Sequence, residues 1–462
     1  MSAPMTIGRL TVTRLYNSFM ALQANLWLIP ALYCATFFLM TAGLYIAEMA
    51  YPKVLHGPVT LFQGETADAK SVVATLLSAM ITMATLAISI TIVVLSLAAS
   101  QLGPRLIKSV MSDRRTKDFI GMFFGAIVAC FVLTVILHSR QPEQPVPQTT
   151  IAFVFLLVFV NLFVLLGFVH HIARSCIADS VINRVSRELT QSIERLAEDD
   201  GKKGDAEKDA GQGDGRGASA DLPDGFEDTG VPLVLPKSGY VQQIDHKAVV
   251  QLAADADAVV RVDVSPGYFG VDGEAVGWIH GAGGDDAAEE LARAITDAFT
   301  IGSTRTPTQD LEYSIRHLVE IATRALSPGI NDSFTAIQVI DQLSAALACL
   351  FRKTVPDAKH VDKDGTLRLY AATPDPSEIV FNAFDRIRHS GCGKPDVSRH
   401  MLAKLRVLAG FAQSPRVKAA LNDQVEAIEQ DIACCQAALI DEGEIRALAA
   451  ETKKILRGEG AE

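Results

Sequence analysis

Charged residues are sparse over the first 173 positions, where they lean basic; the acidic remainder accounts for the formal net charge of −11. An acidic half with no Lys/Arg stripe excludes nucleic acid as a main partner. The chain also lacks H-E-x-x-H, G-x-S-x-G, a phosphate-cradling glycine loop and any Cys/His zinc spacing. The usual hydrolytic, nucleotide-cleaving and zinc chemistries therefore have no foothold, and neither an enzyme nor a cofactor is expected. The seven cysteines form no C-x-x-C pair, and the adjacent Cys434 and Cys435 are badly placed to grip one metal. A reduced compartment fits this usage better than a disulfide framework.

What is present is apolar length. Leu26–Ala47, Val72–Ala99, Phe119–Leu137 and Ile151–Val169 each approach or exceed the roughly 20 helical residues that cross a hydrocarbon core. Helix is required in each because lipid offers no partner to backbone amides and carbonyls. Lys and Arg set the direction. Arg9 and Arg14 precede the first run, Arg105, Lys108, Arg114, Arg115 and Lys117 follow the second, and Arg174, Arg184 and Arg187 follow the fourth. The other two loops are mixed or acidic, so both termini are expected in the cytoplasm of a bacterial inner (plasma) membrane.

The second run is unusual among these. Ser71, Thr75, Ser78, Thr82, Thr85, Ser89, Ser96 and Ser100 step by three, four or seven residues. At about 100° per residue they fall within roughly 40° of one line, with Thr91 on the opposite face. Two arrangements account for such a seam. Either it packs against other spans of the same subunit through close, hydrogen-bonded approach, or several subunits turn it toward a common axis and the hydroxyls line a wet path.

Beyond the membrane part (1–173) the fourth run continues as a helical neck, 174–198, with Ile182, Val185, Leu189, Ile193 and Leu196 at helical spacing. That stripe must be buried on its own domain or on copies of itself. Gly, Asp and Lys dominate 199–230, which reads as a disordered linker. VPLVL, GYVQQI, AVVQL, VVRVDV and AVGWIH then read as short strands of a small β barrel or sandwich over 231–284. From 285 to 462 the pattern is helical, with helices at 286–300, 308–326, 332–353, 376–391, 396–412, 416–440 and 443–456. The fold class expected is thus an α-helical membrane protein with four transmembrane helices, followed by a small β domain and a cytoplasmic helical domain.

The richest polar stretch is STRTPTQDLEYSIRHLVEIATRALSPGINDSFTAI, residues 303–337. Asp310, Tyr313, His317, Glu320 and Arg324 share one helical face there, with Glu320 and Arg324 spaced for an i,i+4 pair. In the loop that follows, which opens at Ser327, Pro328 sets the bend, Gly329 can take positive φ, and Asn331 or Asp332 can cap the next helix. Together with Arg305 and Gln309 these residues form the candidate cytoplasmic cluster. A salt-bridged docking face is its simplest role, ahead of a ligand site.

ALSPGIND, with TRTPTQD some twenty residues upstream and SGYVQQID before it, resembles an uncharacterised bacterial family of predicted integral membrane proteins, catalogued as a domain of unknown function. ASQLGPRLI followed by DRRTKDFIG is similar to the same family's pattern. The chain departs from that pattern at Ser333, where Pro is expected, at Leu102 and Gly103, where Phe-Ser is more usual, and at His317. The resemblance implies a membrane protein and no settled activity. The functional expectation is a channel-like or solute-conducting homo-oligomer in the lipid bilayer, its second helix lining the path and its cytoplasmic domain regulating it. The alternative is a membrane-anchored scaffold or sensor that captures a cytoplasmic protein and transports nothing.

Overall fold

The computed structural model describes residues 27–51, 66–140, 146–209, 226, 230–353, 358–434 and 439–458. The chain divides into two units, Met1–Val181 and Ile182–Glu462. The basic N-terminal flank, the first interspan loop and much of QPEQPVPQ lie outside the described residues.

The first unit contains α1 (Leu28–Ala50), α2 (Thr66–Leu102), α3 (Arg105–Ser112), α4 (Arg114–His138) and α5 (Gln148–Ser175). α1, α2, α4 and α5 cover the four expected spans. α2 has 37 residues, about 55 Å at 1.5 Å per residue, well beyond a hydrocarbon core of about 30 Å. It stops where Gly103 takes φ +105° and Pro104 follows, a backbone turn that an L side chain resists.

α4 is the hub and packs against α1, α2 and α5. Gly121 and Gly125 let α1 approach: a Cβ at Gly121 would overlap the Tyr33 ring, and one at Gly125 the Phe37 ring. G-x-x-x-G is a sign of close membrane-helix approach, which the pattern of apolar runs alone does not carry. Gly125→Leu is expected to force α1 off α4. Its cost is about 1–3 kcal/mol or more from overpacking, read as a lowered unfolding temperature of the solubilised chain; an unchanged temperature would show that the contact yields freely.

Polar groups in this unit find partners within it. Glu48, fully buried at the end of α1, accepts from the Thr149 amide (3.0 Å), the Thr150 amide (3.1 Å) and the Thr150 hydroxyl (2.7 Å). Arg140 donates to the Met49 sulfur at 2.8 Å and lies over the Tyr45 ring. Asn161 donates to the Leu157 carbonyl of its own helix at 2.9 Å, and its buried Oδ1 has no protein partner among the described residues. His171 meets Asp113 at 2.8 Å.

The second unit corrects the β reading. Its elements are α6 (Ala178–Asp209, counted here from Ile182), β1 (Val231–Val234), β2 (Gly239–Ile244), α7 (His246–Asp255), β3 (Val259–Val262), β4 (Phe269–Gly270), β5 (Ala275–His280), α8 (Asp285–Thr296) and β6 (Phe299–Gly302). There follow α9 (Leu311–Ala325), α10 (Ser333–Arg352), β7 (Lys359–Val361), β8 (Leu367–Ala371), α11 (Pro376–Ser390), α12 (Pro395–Ala409), α13 (Pro415–Cys434) and α14 (Leu439–Arg457). The strands form a mixed sheet, order β1-β5-β3-β8-β7, and a three-stranded sheet, order β4-β2-β6. No barrel closes among the described residues.

AVVQL belongs to α7. Asp245 caps that helix by accepting from the Ala248 amide at 3.1 Å, and Val249 and Ala253, one turn apart, are buried. The cap and the i,i+4 apolar pair override the β-branched composition. The 231–284 segment is not self-contained either: β8 pairs in parallel with β3 and β6 pairs with β2, so strands come from the stretch expected to be helical. The buried core gathers Leu233, Val241, Ile244, Val260, Ile279 and Leu369 from both sheets with Val249 and Ile295 from α7 and α8.

α6 buries Ile182, Val185, Leu189 and Ile193, and Ser186 donates to Gln342 of α10 at 2.7 Å. The neck stripe therefore packs on its own domain. The helix also runs to Asp209, eleven residues into the expected linker; the linker's 210–225 and 227–229 lie outside the described residues.

Five helices among the described residues are long and apolar enough to cross a membrane: α1, α2, α4, α5 and also α10. α10 carries Asp341, which meets His400 at 2.7 Å and Lys404 at 2.9 Å on α12, and it packs against α9, α11 and α12. Cys392 is disulfide-bonded, whereas Cys34, Cys130, Cys176 and Cys349 are free thiols.

Candidate functional site

The hydroxyl seam is built on α2. The helix buries Ala69, Val73, Met80, Ala84, Ala87, Thr91, Leu95 and Ala98 within its unit. Those positions centre about 180° from the seam at 100° per residue. Ser71, Thr75, Ser78, Thr82, Thr85, Ser89, Ser96 and Ser100 are all exposed. The seam does not pack against α1, α4 or α5 of its own chain. Its hydroxyls bond back along the helix: Thr75 to the Ser71 carbonyl (2.8 Å), Ser78 to Ala74 (3.0 Å), Thr82 to Ser78 (2.9 Å) and Thr85 to Ile81 (2.9 Å). Ser71 and Ser100 reach carbonyls three residues back. Such bonds make each hydroxyl tolerable in lipid; they do not explain why all eight share one face.

The second locality lies in the other unit, where TRTPTQD meets SGYVQQID. Gln309 acts as a surrogate strand for Ile244: its Oε1 accepts from the Ile244 amide at 3.0 Å and its Nε2 donates to the Ile244 carbonyl at 3.3 Å. Gln242 donates to the Thr304 carbonyl at 2.6 Å. Arg305 grips Asp310 with two bonds, 2.6 and 2.8 Å, and reaches Glu312 at 3.4 Å. The Arg305 side chain is 13% exposed and that of Asp310 2%, so this is a desolvated, bidentate pair. Burial works against the Arg305 charge, but the bonds and charges of Asp310 and Glu312 outweigh it and hold its pKa above the ordinary value. Asp310 also caps α9, accepting from the Tyr313 amide at 3.0 Å.

The rest of the expected cluster is elsewhere. α9 has 15 residues, about 22 Å of helix, and SPGIND closes its far end. Asp310 precedes the helix as its cap, and His317 is buried, as are Ile315, Leu318 and Ile321. Glu320 and Arg324 form the expected i,i+4 pair at 3.3 Å. Ser327 donates to the Arg324 carbonyl at 2.6 Å. In the turn, φ is +53° at Asn331, so Asn331 rather than Gly329 takes the left-handed position that an asparagine tolerates. Asp332 caps α10, accepting from the Thr335 amide (3.1 Å) and hydroxyl (2.6 Å). One presumed cluster is thus two helix ends. Among the described residues no three His, Cys, Asp or Glu side chains gather as a metal site.

The Thr335 hydroxyl, acting against burial and helped by backbone amides, holds the Asp332 carboxyl below its ordinary 3.8. A folded-state pKa below the unfolded one gives stability that is present above that ordinary value and is lost as pH falls through the lower folded value. Asp332→Ala is expected to cost about 1 kcal/mol at pH 7 and to flatten the acid limb of a melting-temperature profile below about pH 5. An acid limb identical to that of the parent would refute the assignment.

Four long apolar helices around a glycine-lined contact define a multi-pass membrane protein, with the lipid bilayer as its surroundings. The chain belongs to the family described as predicted membrane protein DUF2254, whose model matches residues 23–407. It is 27% identical over 372 residues to uncharacterized protein Rv1290c of Mycobacterium tuberculosis and, equally, to uncharacterized protein Mb1321c of Mycobacterium bovis. Each match covers 79% of this chain and 68% of the relative. No solved structure matches.

Proposed function

We propose that the protein is a homo-oligomeric, channel-like assembly of a bacterial inner membrane, with both termini in the cytoplasm and the α2 seam lining a water-accessible path. One observation carries the reading: all eight aligned hydroxyls are exposed on the face opposite the packed one. In an isolated subunit that face would meet lipid, which rewards no alignment of hydroxyls. Facing other copies across an axis, uncharged hydroxyls tolerate water and passing solutes without holding them tightly. The Lys and Arg distribution supports the orientation. The scaffold reading draws less support, because Arg305, Asp310 and Asp332 are engaged inside the fold.

Single cysteines from residue 75 to 96, in a background without Cys34 and Cys130, test this with a membrane-impermeant thiol reagent. Labelling at 75, 78, 82, 85 and 89, but not at 76, 80 or 88, is the expected pattern. A middle third that never labels would mean a dry face and would end the conduction reading.

A further inference from the structure

A cleft of about 1440 Å³ opens in the second unit between the two sheets' loops, the TRTPTQD segment and the β7–β8 hairpin. It exceeds the 300–1,000 Å³ usual for small-molecule sites. Two of the segments on which the family resemblance rests converge on it: Tyr240, Gln243 and Ile244 from SGYVQQID, and Arg305, Thr308 and Gln309 from TRTPTQD. No helix packing or capping need explains a hollow at that junction.

The chemistry of its walls narrows what fits. Tyr240 and Phe269 stack edge to face with centroids 4.9 Å apart, and Phe269 and Tyr268 are exposed at the mouth by 51% and 40%. On another wall the rings of His246 and His360 lie 5.0 Å apart. The floor is apolar, with Leu311, Ile379 and Ala371 buried. The deep charges are already matched within the protein: Arg305 by Asp310 and Glu312, Arg368 by Asp362 at 2.7 Å, and Asp245 by the amide it caps. Over the whole lining, eight acidic side chains stand against six basic ones. A phosphate entering the cleft would meet a negative balance and, among the described lining residues, deep cations that are already held, and burying it there is unfavourable. Gln243, Ser265, Thr308 and Thr373 add neutral amide and hydroxyl groups along the wall.

From this combination we propose that the cleft binds an uncharged, planar heteroaromatic ligand of nucleoside size, its ring stacked on the Tyr240–Phe269 wall and its polar edges bonded by neutral side chains such as Gln243. Aromatic stacking recognises the flat faces, and the internally matched charges exclude phosphorylated forms.

The test is isothermal titration calorimetry on the full chain in detergent micelles, with adenosine, guanosine, cytidine and uridine, each against its 5′-monophosphate. At least one nucleoside is expected to bind, with its monophosphate at least tenfold weaker. Phe269→Ala, at a half-exposed position outside the core, should weaken that nucleoside about tenfold, and Gln243→Ala should weaken it too. Failure of all four nucleosides to bind would overturn the proposal. So would a monophosphate that binds as tightly as its nucleoside, or an affinity untouched by both substitutions.

Discussion

Asp310→Ala is expected to destabilise the helical part of the second unit by about 3–5 kcal/mol, the range for breaking a buried ion pair by removing one partner. The cost has two sources. Arg305, 13% exposed, would keep a desolvated charge with only the longer contact to Glu312 at 3.4 Å, and α9 would lose the carboxylate that accepts from the Tyr313 amide. Asp310→Asn separates them: it keeps a cap and loses the charge, so it should fall between the parent and Ala. Gly267 provides a third reading of the same contact. Its φ is +102°, and a Cβ there would overlap both the Arg305 guanidinium and the Asp310 carboxylate. Gly267→Ala should therefore be costly alone and less than additive with Asp310→Ala, because both damage one pair. Hydrogen exchange of the α9 amides in the full chain measures the opening energy directly. A loss under about 1 kcal/mol for Asp310→Ala would mean that the pair is no more than a surface bridge.

Why this pair escapes sequence reading is instructive. Arg305 and Asp310 are five apart in a segment without helical spacing, so no periodic rule marks them. Asp310 instead falls in phase with Tyr313 and His317 and joins a helical face on paper, although it caps the helix from outside. The long helices were legible for the opposite reason: their apolar period and their Pro and Asp punctuation are local. α10 begins one residue after Asp332, and α11 and α12 begin at Pro376 and Pro395. The sheets were not, since β3 finds its parallel partner β8 more than a hundred residues later and every described strand has six residues or fewer. The seam was legible as an alignment; which way it faces needed the positions of α1, α4 and α5.

Glu48→Ala should be the most damaging single truncation in the membrane unit, by about 3–5 kcal/mol from buried donors left without an acceptor. Glu48 is fully buried, and its two oxygens serve the Thr149 and Thr150 amides and the Thr150 hydroxyl. Those amides belong to the first turn of α5, where a helix has no carbonyl of its own to offer. The carboxylate also sits at the positive end of the helix dipole, so the end of α1 supplies a cap that the sequence of α5 lacks. Glu48→Gln retains one acceptor oxygen and loses the charge, and is expected to cost only about 1–2 kcal/mol. The order parent, Gln, Ala in unfolding temperature of the solubilised chain is thus the signature of a cap. Equal losses for Gln and Ala would show that charge alone matters, and no loss for either would mean that water already serves these amides. The contact ties the exit of the first span to the entry of the last, so its failure should loosen α5 first. Faster hydrogen exchange confined to residues 148–152 in Glu48→Ala would report that directly.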